Sequence, residues 1–121
     1  MRECIHTYYM SQKTAESEEP FADNTPLVEL FGTPARTRIL SVFVDEREFD
    51  LSVTEIADQA GVARSTVYDH LDGLLKLGVV ERTRETGGSK RYQLNDDSQI
   101  ADYLYKLDGV TLQKLLELDG E

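Results

Sequence analysis

The stretch from residue 53 to residue 94 constrains this chain most. It begins VTEIADQAGVARSTVYDHLDGLLKLG and continues VVERTRETGGSKRYQL. Ile56, Ala57 and Ala60 fall on one helical face. Thr54 is suited to cap that helix, because its hydroxyl can accept a bond from an N–H of the first turn. At Gly61 the chain has to leave the helix through a left-handed conformation, which costs glycine least. Val62 can plug the gap before the next helix, and Ala57 is small enough to let that helix cross close by.

The second helix is expected from about Arg64 to Leu77, with Gly78 as its stop. Val67, Leu71, Leu74 and Leu75 form its apolar stripe. Arg64, Ser65, Thr66, Tyr68, Asp69 and Asp72 are left outside it. Val79 and Val80 then start a strand. Thr86-Gly87-Gly88-Ser89 is a turn, and Lys90 to Leu94 returns with Tyr92 and Leu94 on one face and Arg91 and Gln93 on the other. Arg82, Arg84, Lys90 and Arg91 flank the tip, so the hairpin is basic. Two helices at a tight turn followed by such a hairpin predict a winged helix-turn-helix. The fold class is mainly α with a small β-hairpin and an additional C-terminal helix. A surface helix hairpin with no nucleic-acid role is the plainer alternative, and the basic hairpin counts against it.

The run TEIADQAGVARSTVYDHLDGLLKLGVVER, the basic wing after it and the upstream LVELFGTPARTRILSVF resemble the winged helix-turn-helix transcription regulators of the ArsR and MarR type. The resemblance covers about residues 27 to 94. It implies a recognition helix at Ala63 to Leu74 and a wing at Arg82 to Arg91, with Leu51 to Val53 as a short strand pairing with the wing. Many ArsR-type proteins sense metals through cysteine pairs or His/Asp clusters. This sequence departs from that pattern: the helix before the recognition helix has no cysteine, and the C-terminal helix has no histidine. Metal sensing is therefore not carried over.

At 121 residues the chain is sized for one domain with a modest core. No apolar run approaches the length that spans a bilayer, and the start lacks the basic region and apolar core of a signal peptide. A cytoplasmic protein is expected. The net charge is −10, and its distribution is uneven. Residues 1 to 32 carry a net −4, residues 33 to 94 a net −1, and residues 95 to 121 a net −5. The expected DNA module is thus nearly neutral, and a DNA binder has to be basic only on its contact face. Many acidic groups, few lysines and an excess of Arg over Lys resemble proteins of salt-loving archaea.

Three segments are expected: an acidic tail over 1–24, the DNA-binding domain over 25–94 and a C-terminal dimerisation segment over 95–121. The tail, with Glu16-Ser17-Glu18-Glu19-Pro20, has too little apolar surface to offset ordering entropy. Met10-Ser11 reads like a natural start, which would make the first nine residues an upstream extension. Cys4, the single cysteine, and His6 are two ligands at most, too few for a structural zinc site. Pro26 to Phe31 is a short helix candidate ended by Gly32. Thr33 then caps a helix that has Pro34 at its first position, with Ile39, Leu40, Phe43 and Val44 facing the core. Arg36 and Arg38 point away from that core. Asp45 to Asp50 reads as an acidic loop.

After the wing, Asn95-Asp96-Asp97-Ser98 marks a helix start. Ile100, Tyr103, Leu104 and Leu107 make a stripe, Asp108-Gly109 interrupts it, and Leu112, Leu115, Leu116 and Leu118 resume it. A small winged domain has limited room for so much apolar surface. A dimer seam along these residues, joined by residues 26 to 31, is expected ahead of packing within the chain against the helix at 34 to 44.

No nucleophile–base arrangement is legible, and no phosphate-binding glycine loop of known spacing is present. His70 lies beside the buried stripe and reads as a core or interface residue. The expected protein is not an enzyme and has no cofactor, no metal and no membrane partner. It is a homodimeric, sequence-specific regulator of transcription that binds double-stranded DNA. Arg64, Ser65, Thr66, Tyr68 and Asp69 face the major groove, while Arg82, Arg84, Lys90 and Arg91 hold backbone or minor groove. The alternative is a winged-helix module that binds other proteins, favoured by Asp69, Asp72 and Glu85 near the same face.

Overall fold

The computed structural model describes residues 25–120. The expected lack of order over 1–24, the reading of Met10 as a start and the dismissal of Cys4 and His6 as metal ligands lie outside the described residues. A first unit ends at Pro34. In it, helix α1 (Pro26–Phe31) is capped by Thr25, whose hydroxyl accepts from the Val28 N–H at 3.4 Å. Gly32 ends α1 at φ 55°, and Leu27 and Val28 are exposed.

The second unit runs from Ala35 to Glu121 and takes in the whole C-terminal helix. Its elements are α2 (Pro34–Asp45), β1 (Leu51–Ser52), α3 (Val53–Ala60), α4 (Arg64–Lys76), β2 (Val80–Thr86), β3 (Ser89–Leu94) and α5 (Gln99–Asp119). The strands form one antiparallel sheet in the order β1-β3-β2. This is a winged helix-turn-helix: mostly helical, with a small sheet and a long final helix.

The core is the apolar set that the two periods select. Ile39, Leu40 and Phe43 of α2 are buried, as are Ile56 and Ala57 of α3 and Val67, Leu71 and Leu74 of α4. Val79 and Val80 enter it from the start of the wing, and Tyr92 and Leu94 from its return strand. Burial of each large apolar side chain in this set contributes roughly 1.5–3 kcal/mol. Asn95 seals the wing's base: its side-chain amide donates to the Gly78 carbonyl at 2.9 Å, and its N–H to that of Val79 at 2.8 Å.

Three expectations are corrected. Ser52, not Thr54, caps α3, and it does so through a reciprocal pair. Its hydroxyl accepts from the Glu55 N–H at 3.2 Å, while its own N–H donates to Glu55 Oε1 at 2.9 Å. The helix therefore begins at Val53, and β1 is two residues rather than three. The pair satisfies two backbone donors at once, which Thr54 alone could not do. Finally, α5 is not interrupted at Asp108-Gly109. One glycine in a helix interior costs only about 1 kcal/mol, and no proline is there to break the hydrogen-bond ladder.

Candidate nucleic-acid interface

The turn between α3 and α4 sets the angle at which α4 is presented. Gly61 adopts φ 71° and ψ 38°, and the N–H groups of Gly61 and Val62 both donate to the Ala57 carbonyl, at 2.9 and 3.1 Å. Two bonds on one carbonyl close the end of α3 tightly, so α4 starts three residues later with Ala63 at its N-cap. No side chain caps α4, and its first turn holds no acid. The positive end of the helix dipole is thus left uncompensated next to Arg64. At the far end, Gly78 at φ 77° turns the chain into the wing.

Arg64, Ser65, Tyr68 and Asp69 all lie on the exposed side of α4. Thr66 is half-buried, as is His70. Asp72 is paired with Lys76 one turn on, at 3.0 Å. Behind the helix, the Arg36 guanidinium lies close against Gly73: a Cβ added there would sit 3.0 Å from Nη1. Arg36 is therefore packed on α4 rather than solvated, and Gly73 is what lets it approach.

A cleft of about 280 Å³ opens between the start of α4 and the tip of the wing. Arg64 and Tyr68 line it from the helix, Lys90 and Tyr92 from β3, and Ser52 and Thr54 from the floor. Two cations and several hydroxyls converge on one space, a donor set suited to a phosphodiester. The wing tip is a two-residue turn with Gly87 at φ 57° and Gly88 at φ 83°, a geometry that matches the twist of the strands.

The four basic wing residues are divided by the structure. Arg82 and Lys90 are exposed and make no ion pair with another described residue. Arg84 and Arg91 are both paired with Asp50. Arg84 Nε lies 2.7 Å from Asp50 Oδ2, and Arg91 Nε lies 3.0 Å from Oδ1. Arg91 Nη2 also donates to the Asp50 carbonyl and to Glu55 Oε1, both at 2.9 Å. The bonds from Arg84, then Thr83 and Arg91, hold the Asp50 carboxyl well below the usual carboxylate range. Glu55 is lowered too, first by the Ser52 N–H and then by the charge of Arg91.

Asp50, Thr83, Ser52 and Glu55 were not singled out by sequence as parts of this surface. For Ser52 and Glu55 a signal exists, the S-x-x-E spacing of a capping box. For Asp50 none does, since its partners Arg84 and Arg91 are 34 and 41 residues away.

The expected dimer residues are also divided. Leu104 is corrected to a core residue: it is buried with Ala101 against its own domain. Ile100, Tyr103, Leu107, Leu112, Leu115 and Leu116 are exposed, the last at 61 %. Beyond Leu104, α5 thus offers more apolar face than its own domain covers. Arg47 sits over the Tyr105 ring at 4.1 Å and 3.4 Å from Asp96, and this bracket ties the base of α5 to the loop after α2. Among the described residues no helix is long and apolar enough to cross a membrane. No group of three or more His, Cys, Asp or Glu among them could hold a metal ion.

Residues 37–84 match the family model of the IclR helix-turn-helix domain, a span of less than half the chain. No match was found among curated proteins. Among solved structures the chain is similar to HlyU from Vibrio cholerae, at 25 % identity over 67 % of this chain and 82 % of that one, with a TM-score of 0.54. It is also similar to the homodimeric winged helix-turn-helix DNA-binding domain of a possible ArsR-family transcriptional regulator from Mycobacterium bovis. There the identity is 25 %, the coverage 74 % and 77 %, and the TM-score 0.55. A MarR-family regulator from Silicibacter pomeroyi shares the fold at 19 % identity, over 86 % of this chain and 59 % of its own, with a TM-score of 0.53. The ArsR and MarR resemblance thus holds for the fold, while the helix-turn-helix sequence itself fits another group. Residues 37–84 are thus similar to the IclR helix-turn-helix domain, and the chain has a winged helix-turn-helix fold like that of these neighbours.

Proposed function

We propose that this chain is a sequence-specific, double-stranded DNA-binding regulator of transcription that acts as a homodimer. The observation that carries the reading is the cleft where Arg64 and Tyr68 of α4 meet Lys90 of the wing. An exposed helix start beside a basic hairpin suits a duplex, with the helix in the major groove and the hairpin on the adjoining backbone or minor groove. Ser65, Tyr68 and Asp69 read base edges, Asp69 as an acceptor for a cytosine amino group. Thr66, half-buried, positions the helix from its inner side. Arg64, Arg82 and Lys90 supply charge to phosphates.

The homodimer is supported by the exposed apolar residues of α5 and by the homodimeric state of the Mycobacterium bovis neighbour. The twofold axis would pair two α4 helices on half-sites about one helical turn apart. Selection from a random duplex library tests the proposal, run at low and at molar salt because the acidic composition resembles that of salt-loving archaeal proteins. Enrichment of a palindromic motif is expected. A folded protein that enriches no motif at either salt would turn the assignment toward a protein-binding module.

A further inference from the structure

The wing contains an irregularity with an effect on charge. Arg82 pairs with Tyr92, Arg84 with Arg91 and Glu85 with Lys90, so Thr83 is an extra residue in β2. Residues opposite each other in an antiparallel pair share a face. Without the extra residue Arg84 would stand opposite Lys90, on the face that lines the cleft. With it, Arg84 moves to the face of Arg91, and Glu85 takes the place across from Lys90.

Asp50, from the loop before β1, occupies that second face. Its Oδ2 accepts from Arg84 Nε at 2.7 Å and from the Thr83 hydroxyl at 2.8 Å. Its Oδ1 accepts from Arg84 Nη2 at 3.2 Å and from Arg91 Nε at 3.0 Å. A guanidinium fork against two oxygens is also how arginine grips a phosphate. The Asp50 side chain is only 14 % exposed, whereas that of Arg84 is 63 % exposed. The carboxylate is thus enclosed by the donors it binds, while the guanidinium it holds still meets solvent.

We propose that Asp50 is a positioning residue for the wing, a resident stand-in for phosphate that withholds Arg84 and Arg91 from nucleic acid. This rests on the DNA-binding reading above. A phosphodiester arriving at Arg84 has to displace a carboxylate already in bidentate contact, so the exchange gains little. The bulge at Thr83 and the carboxylate at Asp50 act together, leaving Arg82 and Lys90 as the wing's cations for DNA. They also tie β2 and β3 to the loop before β1, through Thr83, Arg84 and Arg91, and so hold the wing that carries Lys90 to the cleft with Arg64.

The test measures binding to a labelled mixed-sequence duplex against salt concentration for the full chain and for R84A and D50N. R84A is expected to keep affinity within about twofold and to leave the salt slope unchanged, because no phosphate contact is lost. D50N is expected to steepen the slope by about one to two, as the released guanidinium groups take phosphates. A loss of about tenfold in R84A, with a slope shallower by about one, would place Arg84 on DNA in the native protein and overturn the withholding role. Amide hydrogen exchange without DNA is the second arm. D50N is expected to speed exchange in the wing at residues 82–92 and to spare α4; unchanged wing exchange would overturn the positioning role. If the native chain binds no duplex at all, the DNA-binding reading fails, and the exchange arm alone decides whether Asp50 holds the wing.

Discussion

Arg91 Nη2 and the Ser52 N–H donate to the same oxygen, Glu55 Oε1, each at 2.9 Å. The atom that completes the cap of α3 is thus also a tie to the wing. Ser52→Ala removes the hydroxyl that accepts from Glu55 and is expected to lower stability by about 1 kcal/mol, measured by urea unfolding. A loss indistinguishable from zero would mean that the cap contributes nothing beyond what water supplies.

Acid should weaken the same region. The carboxyls of Asp50 and Glu55 sit below their ordinary values of 3.8 and 4.5 in the folded chain. The folded state therefore binds fewer protons than the unfolded one in acid. The stability from these groups is fully present above about pH 4.5, begins to fall as the unfolded carboxyls protonate, and is lost as pH drops through the lowered folded values. In Asp50→Asn the decline of stability with acid below about pH 4 should be shallower than in the native chain. Equal slopes in the two proteins would show that Asp50 gains nothing from its partners.

Gly61 holds φ 71°, and a Cβ added there meets only Arg38 Nη1 at an ordinary 3.5 Å. Gly61→Ala therefore tests backbone strain with little steric confusion. A left-handed conformation costs an L-residue about 1–2 kcal/mol, and thermal unfolding should report a loss of that order. A melting temperature equal to the native one would argue that the turn relaxes to another shape.

Arg64→Ala is expected to weaken duplex binding by about 1–3 kcal/mol if the guanidinium meets a base. If it meets only phosphate across the cleft from Lys90, the loss is uniform across sequences and the salt slope becomes shallower by about one. Titration of two duplexes that differ at the enriched positions separates the two; unchanged affinity for both would remove Arg64 from the interface.

Leu107 and Leu115 are 56 % and 54 % exposed on α5. Were the chain a monomer, Leu107→Glu and Leu115→Glu would change stability by no more than about 0.5 kcal/mol. In a dimer sealed along α5, each is expected to shift the sedimenting species from dimer to monomer while the circular dichroism spectrum stays helical. A native chain that sediments as a monomer would sink the dimer outright.

The helices and the hairpin were legible because they rest on local signals. Gly61, Gly78 and the Gly87-Gly88 pair each sit at a positive φ that any other residue would resist, so the sequence marks those turns directly. The cap of α3 was misplaced by two residues because both Ser52 and Thr54 are good capping residues, and only the reciprocal partner Glu55 decides between them. Leu104 could not be told from Leu107 by periodicity, since both lie on one stripe and only the extent of the domain beneath separates them. The pairing of Arg84 and Arg91 with Asp50 was not legible for a different reason. A basic residue in a hairpin looks the same whether it faces solvent or an acid contributed from a distant loop, and a one-residue bulge alters which face it takes.

The unbroken course of α5 through Gly109 has a geometric consequence. A continuous helix transmits rotation as well as distance. Each residue between Leu104, anchored in the domain, and the exposed leucines beyond it turns the far end by roughly 100° and advances it by about 1.5 Å. The helix therefore acts as a rigid spoke with a set phase. If two copies join along its outer part, the number of residues in that spoke determines how the two α4 helices face one another, and so which spacing and orientation of half-sites a dimer can span.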